Sequence, residues 1–507
     1  METSCSVTAG EDNLGGQERL YNIMFWFAFA GSVMIYFWGI WQIPVLTHNE
    51  GRRMIVVQEM LARHNYLIPT INHELYLEKP PLFYWLALPF ALLFKSTAEW
   101  VLRLPSALLA FGFTWLLFQR VGKHIGRWPG LFSALILITC LHFSNFSRLA
   151  EIPTALTVCC ASAILFYFDY MQKPEQKGFL YLSYLSIGLG FLTKGPVALV
   201  FFVPPILVFG MLQKNRQALK GLVFIRGWLI FALSAFPWFL YVLTSLDKGQ
   251  LGGVIQKDIV HKVAGTADSG PFYLYLLVLL GCLAPWSLVL AYKTKSNIKT
   301  LFSTSNYAYF GYAFLVPLVI MTFFSAREAN YIVPILPPAA IFLGIWVARF
   351  FEGLNRSWKN KLNLRLSLAV GALVMVHILY YSVVMPRLSR YKYEAFEPVI
   401  STIKKHPESI PVYGYNNLFY QLIYYYGHPI PRIGEKEVEG MILKESPFIL
   451  IAENKHWDQL KGLDLSILME YRPFINKKRA VRVYFSKDEH ARSFESGESR
   501  PEAHASQ

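Results

Sequence analysis

Long apolar segments that recur along the chain constrain its fold more than any other feature. Uninterrupted stretches long enough to cross a bilayer as helices recur from Tyr21 to about Tyr381. Only 16% of the 507 residues are charged and 54% are hydrophobic, whereas a soluble protein of this length carries about a quarter charged residues. The sequence therefore predicts an all-α polytopic membrane protein.

The formal net charge of +15 is concentrated in the connections between the apolar segments. Such an excess of Lys and Arg is typical of cytoplasmic loops, so we expect these connections to face the cytoplasm and expect no nucleic-acid partner. The connections between them then face the opposite side. Counting one crossing for each change of side gives about eleven to thirteen transmembrane helices. The range reflects residues 82–94, which form either a re-entrant helix or an extra pair of crossings. The basic connections are 119–127, 172–177, 213–226, 292–299 and 349–365.

The composition divides the chain into four parts. We expect residues 1–20 to form a cytoplasmic N-terminal tail and residues 21–385 to form the transmembrane domain. Residues 386–487 are predicted to form a small C-terminal α/β domain on the outer face, and residues 488–507, which are polar, are predicted to be a disordered tail.

The predicted α/β domain follows from short apolar runs that alternate with helical patterns. PVYGY (411–415) and PFILIAE (447–453) are typical of buried strands, with helices predicted at 416–427 and 456–463. LSILMEYRPF and RAVRVYFS are predicted to be two further strands.

Two outer loops of the transmembrane domain hold most of its polar residues: a first outer loop at 44–81 and a long outer loop at 244–270. In the first loop, Met54, Val57 and Leu61 recur at helical spacing after Glu50. This pattern predicts an interfacial helix with its apolar side toward lipid. Arg53 and Arg63 would then anchor that helix to lipid headgroups.

The first outer loop ends in YLEKPP, Tyr76 to Pro81. Pro80 and Pro81 block helix continuation and restrict the backbone of Lys79 to an extended or turn conformation. Glu78 and Lys79 are thereby predicted to lie on a stiff backbone at the edge of the membrane.

Further ionisable residues fall on the same predicted outer face. Such groups cost several kcal/mol at membrane depth unless they pair or line a polar cavity. Several cations converging on one face suit a phosphate-bearing ligand, and a lipid phosphate has its charge at this level. The residues are Arg148, Glu151, Lys194, Arg327 and Glu328, with Asp258, His261, Lys262 and Asp268 in the long loop.

Five short stretches resemble the integral membrane glycosyltransferases of the protein mannosyltransferase and lipid A aminoarabinose transferase superfamily. Bacterial members have a first outer loop that opens D-E-x-R-Y and closes E-K-P-P. Here that loop opens Asn49-Glu50-Gly51-Arg52-Arg53 and closes Glu78-Lys79-Pro80-Pro81. The other similar stretches are LTKGPVA (192–198), APWSL (284–288) and NYIVPILPP (330–338).

This resemblance implies an inverting glycosyltransferase that uses a sugar attached to a polyprenyl phosphate. The acceptor would be a periplasmic glycan such as lipid A or lipopolysaccharide, another lipid, or a protein. The resemblance also implies a multi-pass protein surrounded by lipid in the bacterial inner membrane. Its N-terminus would be cytoplasmic and its C-terminal domain periplasmic.

The resemblance assigns roles residue by residue. The acidic pair that opens the first loop is catalytic in the family, and its positions are Asn49 and Glu50 here. The positions implied to bind the donor and its lipid phosphate are Arg52, Lys79, Lys194, Arg327 and Tyr331.

The resemblance also implies a divalent metal cation, and no organic cofactor. Glu78 matches a position that, in the aminoarabinose transferases, contributes to a metal site together with a histidine from the long loop. That histidine is replaced by Asp268 here. Glu78 and Asp268 are therefore the predicted metal ligands, and a carboxylate pair suits a hard cation such as Mg²⁺.

Asn49 is a second departure, since a neutral amide stands where the family has an acidic residue. Two hypotheses follow. Either Glu50 acts as the general base, which a hydroxyl acceptor requires, or the acceptor is an anion such as a phosphate and requires no strong base.

Two other classes of protein fit parts of the pattern. A family member that binds lipid-linked sugar without catalysis would explain Asn49 and Asp268. A transporter would also have many spans, but it predicts symmetry between its halves, and the sequence shows no internal repeat. For the C-terminal domain, a packing role and recognition of the acceptor are both open.

Overall fold

The computed structural model describes the chain in twelve stretches, with all remaining residues outside the description. These stretches are residues 3–45, 47–247, 249, 271–291, 302–324, 327–352, 356–393, 396–407, 409–416, 418–444, 446–471 and 480–486. Asp258, His261, Lys262 and Asp268 of the long outer loop, and the predicted disordered tail at 488–507, therefore lie outside the described residues.

Helices dominate the described part of the chain. Up to residue 245 they are α1 (Thr3–Phe37), α2 (His48–Ala62), α3 (Leu82–Phe94), α4 (Glu99–His124), α5 (Arg127–Ile138), α6 (Leu141–Ser147), α7 (Ile152–Gln172), α8 (Lys177–Lys194), α9 (Val197–Val200), α10 (Val203–Leu212), α11 (Arg216–Leu222), α12 (Ile225–Ala235) and α13 (Pro237–Ser245). Beyond residue 270 they are α14 (Leu274–Cys282), α15 (Ser305–Thr322), α16 (Leu336–Glu352), α17 (Arg356–Leu379), α18 (Met385–Tyr393), α19 (Phe396–Lys404), α20 (Tyr420–Tyr426) and α21 (Glu435–Ile442).

Short 3₁₀ segments and seven strands complete the description. The 3₁₀ segments are Trp286–Ala291, Ala329–Ile335 and Asn454–Leu460, and a π-helical turn spans Tyr380–Val384. The strands are β1 (Thr70–Ile71), β2 (Glu74–Leu75), β3 (Val412–Tyr415), β4 (Arg432–Ile433), β5 (Ile449–Glu453), β6 (Leu465–Tyr471) and β7 (Val481–Ser486).

The chain divides into two compact units. The first unit comprises Met1–Gln42, Val56–Thr70 and Leu75–Met385, and the second comprises Ile43–Ile55, Ile71–Glu74 and Pro386–Gln507. Two short pieces of the predicted first outer loop thus group with the C-terminal part of the chain.

The first unit contains the membrane-spanning helices. Five helices of the described residues are long and apolar enough to cross a bilayer, or seven if each of two bent helix pairs counts as one span. The bends lie between α5 and α6 (66°) and between α11 and α12 (44°). Other apolar helices, α3 among them, are shorter. The sequence-based count of eleven to thirteen crossings stays a prediction, because the bends and short helices leave the number of passes open.

Small residues let the helices of the first unit pack closely. Every residue of α5 from Pro129 to Ile138 is buried. A Cβ atom on Gly130 would lie 2.8 Å from the backbone nitrogen of Gly122 on α4. On α16, a Cβ atom on Gly344 would lie 2.7 Å from the backbone nitrogen of Ser133. Close backbone approach through small residues is typical of helix packing in membranes.

Arg148 has a structural role, which corrects its prediction as one of the cations that face a ligand. Only 2% of its surface is exposed. Its guanidinium donates to the carbonyl oxygens of Ile35 and Trp38, and lies 4.6 Å from the centre of the Tyr381 ring. The last carbonyls of a helix lack partners within the helix. Arg148 therefore caps the end of α1.

The second unit contains the predicted small α/β fold. Its sheet has the order β4-β3-β5-β7-β6, with β3 parallel to β4 and β5, and β7 antiparallel to β5 and β6. The four strands predicted from the sequence are confirmed as β3, β5, β6 and β7. The predicted helix at 416–427 is confirmed as α20, and the one at 456–463 is a 3₁₀ segment. Strand β4 has only two residues and was missed, as was α21.

The helix predicted in the first outer loop exists as α2, but its predicted environment is wrong. Met54 and Val57 are fully buried in the protein and do not face lipid. Arg53 is 4% exposed, so it cannot serve as a headgroup anchor, whereas Arg63 is exposed. Besides Met54 and Val57, α2 also buries Ile55, Val56 and Met60, so apolar residues on more than one side of this helix pack against protein.

Asn72 attaches the short piece Ile71–Glu74 to the rest of the second unit. Its side-chain amide donates to the carbonyl oxygen of Ile430, and its side-chain oxygen accepts from the Ile430 N–H, both at 2.6 Å. Asn72 is buried and has φ 58°, a left-handed conformation that asparagine tolerates. The Asn72 side chain therefore satisfies both the N–H and the carbonyl of buried Ile430, as a neighbouring strand would do.

We expect Asn72→Gly to destabilise the second unit by about 1–3 kcal/mol, because the Ile430 peptide loses both hydrogen bonds while glycine accepts the positive φ. The measurement is the rate of limited proteolysis of the C-terminal unit as temperature rises. Glu74→Ala, at an exposed position two residues away, is the matched control. Equal proteolysis of the two variants would contradict the role of Asn72.

Candidate active site

The residues predicted to form the site fall into two groups, one in each unit. Asn49, Glu50 and Arg52 belong to the second unit, and the other described positions belong to the first. Asp268 lies outside the described residues. The first-unit positions are Glu78, Lys79, Lys194, Arg327 and Tyr331.

The catalytic pair predicted by resemblance lies in the first turn of α2. Thr47 precedes the helix, and its hydroxyl oxygen accepts from the Glu50 N–H at 2.9 Å, which is an N-cap interaction. Glu50 is fully buried, whereas Asn49 is half-buried. The positive end of the helix favours a carboxylate at this position. The first turn of α2 thus gives the Glu50 side chain a favourable electrostatic environment.

Arg52 directly follows Gly51, the residue at which α2 comes close to the start of α20. A Cβ atom on Gly51 would lie 3.1 Å from the backbone nitrogen of Gln421 and 3.2 Å from the carbonyl carbon of Tyr420. Because Gly51 has no side chain, α2 approaches the start of α20 closely. The Arg52 guanidinium then lies 5.0 Å from the centre of the Tyr420 ring and 3.3 Å from His48 Nε2.

Glu78 and Lys79 occupy the stiff segment predicted from the two prolines. The segment has no regular structure, and α3 begins at Leu82, directly after Pro81. Lys79 Nζ lies 3.6 Å from Glu78 Oε1, and the Tyr76 hydroxyl donates to Glu78 Oε2 at 3.1 Å. The side chains of Lys79 and Glu78 remain 21% and 16% exposed. Both charged groups are therefore accessible to a ligand.

Lys194 and Tyr331 come together although they are far apart in the sequence. Lys194 is the last residue of α8, where Gly195 has φ 69° and turns the chain. Its ammonium lies 3.9 Å from the centre of the Tyr331 ring, which is a cation–π contact. Tyr331 also interacts electrostatically with Glu328 and Glu78. The first unit thus brings two of the predicted residues, Glu78 and Lys194, to a third, Tyr331.

Hydrogen bonds of Arg327 and His142 hold the chain that leads to Tyr331. Arg327 Nε donates to the carbonyl oxygen of Thr322 at 3.1 Å, which fixes the guanidinium close to the end of α15. His142 Nε2 lies 2.8 Å from the carbonyl oxygen of Ala329. His142 has no signal in the sequence, because nothing in the order of residues joins α6 to this 3₁₀ segment.

The described residues do not form the implied metal site. No group of three His, Cys, Asp or Glu side chains suited to a metal ion occurs among them. Glu78 is engaged by Lys79 and Tyr76, and an ammonium beside a carboxylate opposes a divalent cation there. Metal binding by Glu78 and Asp268 stays a prediction, and no step of the mechanism depends on it.

Comparisons with known proteins show what the chain is similar to. Residues 78–241 match the family model described as dolichyl-phosphate-mannose-protein mannosyltransferase. An uncharacterized protein of Aquifex aeolicus (strain VF5) is 25% identical over 458 residues, covering 89% of this chain and 97% of that protein. The undecaprenyl phosphate-alpha-4-amino-4-deoxy-L-arabinose arabinosyl transferase of Shewanella sediminis (strain HAW-EB3) is 26% identical, covering 72% of this chain and 67% of that protein.

Solved structures share the fold. The crystal structure of ArnT from Cupriavidus metallidurans bound to undecaprenyl phosphate matches with a TM-score of 0.75 and 17% identity, over 90% of this chain and 96% of that one. The archaeal oligosaccharyltransferase AglB from Archaeoglobus fulgidus, in complex with an inhibitory peptide and a dolichol-phosphate, has a TM-score of 0.54, with 10% identity. It covers 87% of this chain and 70% of that one.

The apolar helices, the grouped outer-loop residues and the relatives lead to one assignment. The chain is a multi-pass membrane protein and a glycosyltransferase, and it is similar to the superfamily that contains the protein mannosyltransferases and the lipid A aminoarabinose transferases.

Proposed function

We propose that the chain transfers a sugar, with inversion, from a polyprenyl-phosphate-linked donor to an acceptor on the outer face of a bacterial inner membrane. The names of the relatives support the donor, since they are undecaprenyl phosphate-dependent transferases or were solved with a polyprenyl phosphate. The acceptor is a periplasmic glycan, lipid or protein. The basic connections, placed in the cytoplasm, support the orientation.

The observation that carries this proposal is the cation–π contact between Lys194 and Tyr331, with Glu78 and Lys79 on the neighbouring loop. Displacement at the anomeric carbon leaves negative charge on the departing polyprenyl phosphate. Ammonium groups that are fixed before the reaction stabilise such charge more than mobile ones do. Tyr331 positions the Lys194 ammonium, and Pro80 and Pro81 restrict the backbone that carries Lys79.

The acceptor must be nucleophilic, and a hydroxyl needs a base to remove its proton. We assign this role to Glu50, the carboxylate next to Asn49. In the reaction, the acceptor oxygen forms the new glycosidic bond, its proton passes to the Glu50 carboxylate, and the bond from the anomeric carbon to the phosphate oxygen breaks. The electron pair of that bond leaves with the polyprenyl phosphate.

Lys194→Ala should weaken binding of undecaprenyl phosphate by about tenfold to a hundredfold, the range for a lost hydrogen bond to a charged group. The measurement is a titration of the purified full-length protein followed by intrinsic tryptophan fluorescence. Lys177→Ala is the matched control, because Lys177 begins the same helix, α8, and its ammonium lies over Phe224 at 6.0 Å. Lys79→Ala should behave like Lys194→Ala. If Lys79→Ala and Lys194→Ala both bind undecaprenyl phosphate as tightly as the wild type, these two lysines do not bind the donor phosphate.

Glu50→Gln should lower the turnover rate by about 10²–10⁴-fold, which is the usual contribution of a general base. Undecaprenyl phosphate affinity should be unchanged. Release of free polyprenyl phosphate from the lipid-linked sugar measures turnover. Glu59→Gln is the control, because Glu59 is also buried on α2 and an amide oxygen can still accept from the Thr70 hydroxyl. Full turnover by Glu50→Gln would instead support an anionic acceptor.

The main competitor is a protein that binds the donor without catalysis, which the amide at Asn49 favours. The two functions differ in one measurement on the wild-type protein. A catalyst releases polyprenyl phosphate when donor and acceptor are both present, whereas a binding protein retains the intact donor.

A further inference from the structure

The second unit contains a polar cavity that the proposed chemistry does not use. Its volume is about 370 Å³, which lies within the range of small-ligand sites. It is bounded by the start of α2, the start of α20, strand β4 and the end of β5. Its polar wall includes His48, Arg52, Tyr420, Gln421, Arg432 and Lys455.

Positive charge in this cavity is arranged around one aromatic ring. The guanidinium carbons of Arg52 and Arg432 lie 5.0 Å and 5.5 Å from the centre of the Tyr420 ring. Arg432 also donates to the Tyr420 hydroxyl at 3.1 Å. The third permanent cation, Lys455, lies 3.1 Å from the carboxylate of Glu453. One negative charge therefore accompanies three positive ones in the cavity wall.

Two guanidinium groups fixed on a ring form a receptor for an oxyanion. Arginine binds phosphate or carboxylate through parallel N–H donors, and it loses little freedom when it is already stacked. Arg432 Nε is buried and has no hydrogen-bond partner among the described residues. The contacts of Arg432 with Tyr420 hold this donor in place.

Gln421 provides an independent indication of a ligand. The residue is fully buried at the cavity wall, and neither its side-chain nitrogen nor its side-chain oxygen has a hydrogen-bond partner among the described residues. Burying an unsatisfied amide is costly, so such groups in native proteins usually have a partner. A partner for both ends must offer a donor and an acceptor, as a sugar hydroxyl does.

The ring of His48 adds a flat surface beside these polar groups. Its centroid lies 4.5 Å from that of Tyr420, and aromatic faces pack well against the apolar faces of sugars and other flat groups. A cavity of this size, with two arginines, an amide and aromatic rings, suits one or two sugar residues that carry an anion.

We propose that this cavity binds a phosphorylated saccharide headgroup of the acceptor. The inference rests on the proposed function, since it assumes that the protein glycosylates an acceptor. The donor phosphate is assigned elsewhere, to the Lys79 and Lys194 group of the first unit. A phosphorylated sugar is also part of the lipid-linked donor, so the test must separate the two sources of the same chemistry.

The test uses full-length protein in detergent, with glucose 1-phosphate, glucose and inorganic phosphate as probes for the cavity and undecaprenyl phosphate as the probe for the donor site. We expect wild-type protein to bind glucose 1-phosphate more tightly than glucose or phosphate in calorimetric titrations. Arg432→Gln should weaken glucose 1-phosphate binding by about tenfold or more and leave undecaprenyl phosphate binding unchanged. Lys461→Gln is the control, because Lys461 is an exposed lysine of the same unit that pairs with Asp458.

Gln421→Met separates binding from folding. Methionine has a similar length and removes the two unsatisfied atoms, so the unliganded protein should be as stable as the wild type or more stable. Glucose 1-phosphate binding should still weaken. If both variants bind glucose 1-phosphate as wild type does, the cavity is only part of the packing of the unit, and the proposal is wrong.

Two further measurements on Arg432→Gln, its undecaprenyl phosphate affinity and its turnover, also test the assignment of the cavity to the acceptor. A parallel loss of undecaprenyl phosphate affinity in Arg432→Gln would assign the cavity to the donor and overturn its assignment to the acceptor. In turnover assays the same variant should raise the KM for a phosphorylated acceptor and leave kcat intact. Failure of the proposed function would be recognised separately, because wild-type protein would then release no polyprenyl phosphate even though glucose 1-phosphate binds.

Discussion

The cost of removing polar groups from water controls where charge can lie in this protein. Lipid offers no hydrogen bonds, so each charged or polar group inside the bundle needs a protein partner. Arg148 meets this requirement by capping α1, and Arg103, fully buried, donates to the carbonyl oxygen of Ile40 at 2.8 Å. Asp169 is held by His124 at 2.7 Å and Arg120 at 3.2 Å. Charges satisfied in this way stabilise the fold, which separates them from the accessible Glu78 and Lys79.

The sequence predicts what depends on local composition and fails where partners are distant along the chain. Segment hydrophobicity is enough to predict the class of fold, and two prolines are enough to predict an irregular backbone at Lys79. Alternating apolar residues are enough to predict four strands of the second unit. The role of Arg148 could not be predicted, because its partners on α1 precede it by more than 100 residues. The resemblance assigned Lys194 and Tyr331 to donor binding but did not indicate that the two side chains touch. The cavity around Tyr420 depends on the absence of a side chain at Gly51.

Helix geometry separates the functions of neighbouring residues on α2. Residues two apart on a helix point in nearly opposite directions, so Glu50 and Arg52 cannot act on the same atom by simple adjacency. The structure agrees with this expectation, since Glu50 is fully buried and Arg52 lies at the wall of the polar cavity. Resemblance assigned Arg52 to the donor phosphate. Its contacts with Tyr420 and His48 give it a second set of partners that the family pattern did not indicate.

The replacement of an acidic residue by Asn49 has a structural consequence as well as a chemical one. Successive helical residues diverge by about 100°, so Glu50 does not occupy the place that an acid at position 49 would occupy. A base at Glu50 requires the acceptor to reach a fully buried carboxylate. An acceptor that is already anionic avoids this requirement, and it would also suit the two arginines around Tyr420. The charge of the attacking group of the acceptor therefore decides the role of Glu50: an anionic nucleophile needs no strong base, whereas a neutral hydroxyl leaves Glu50 as the only carboxylate at these two positions.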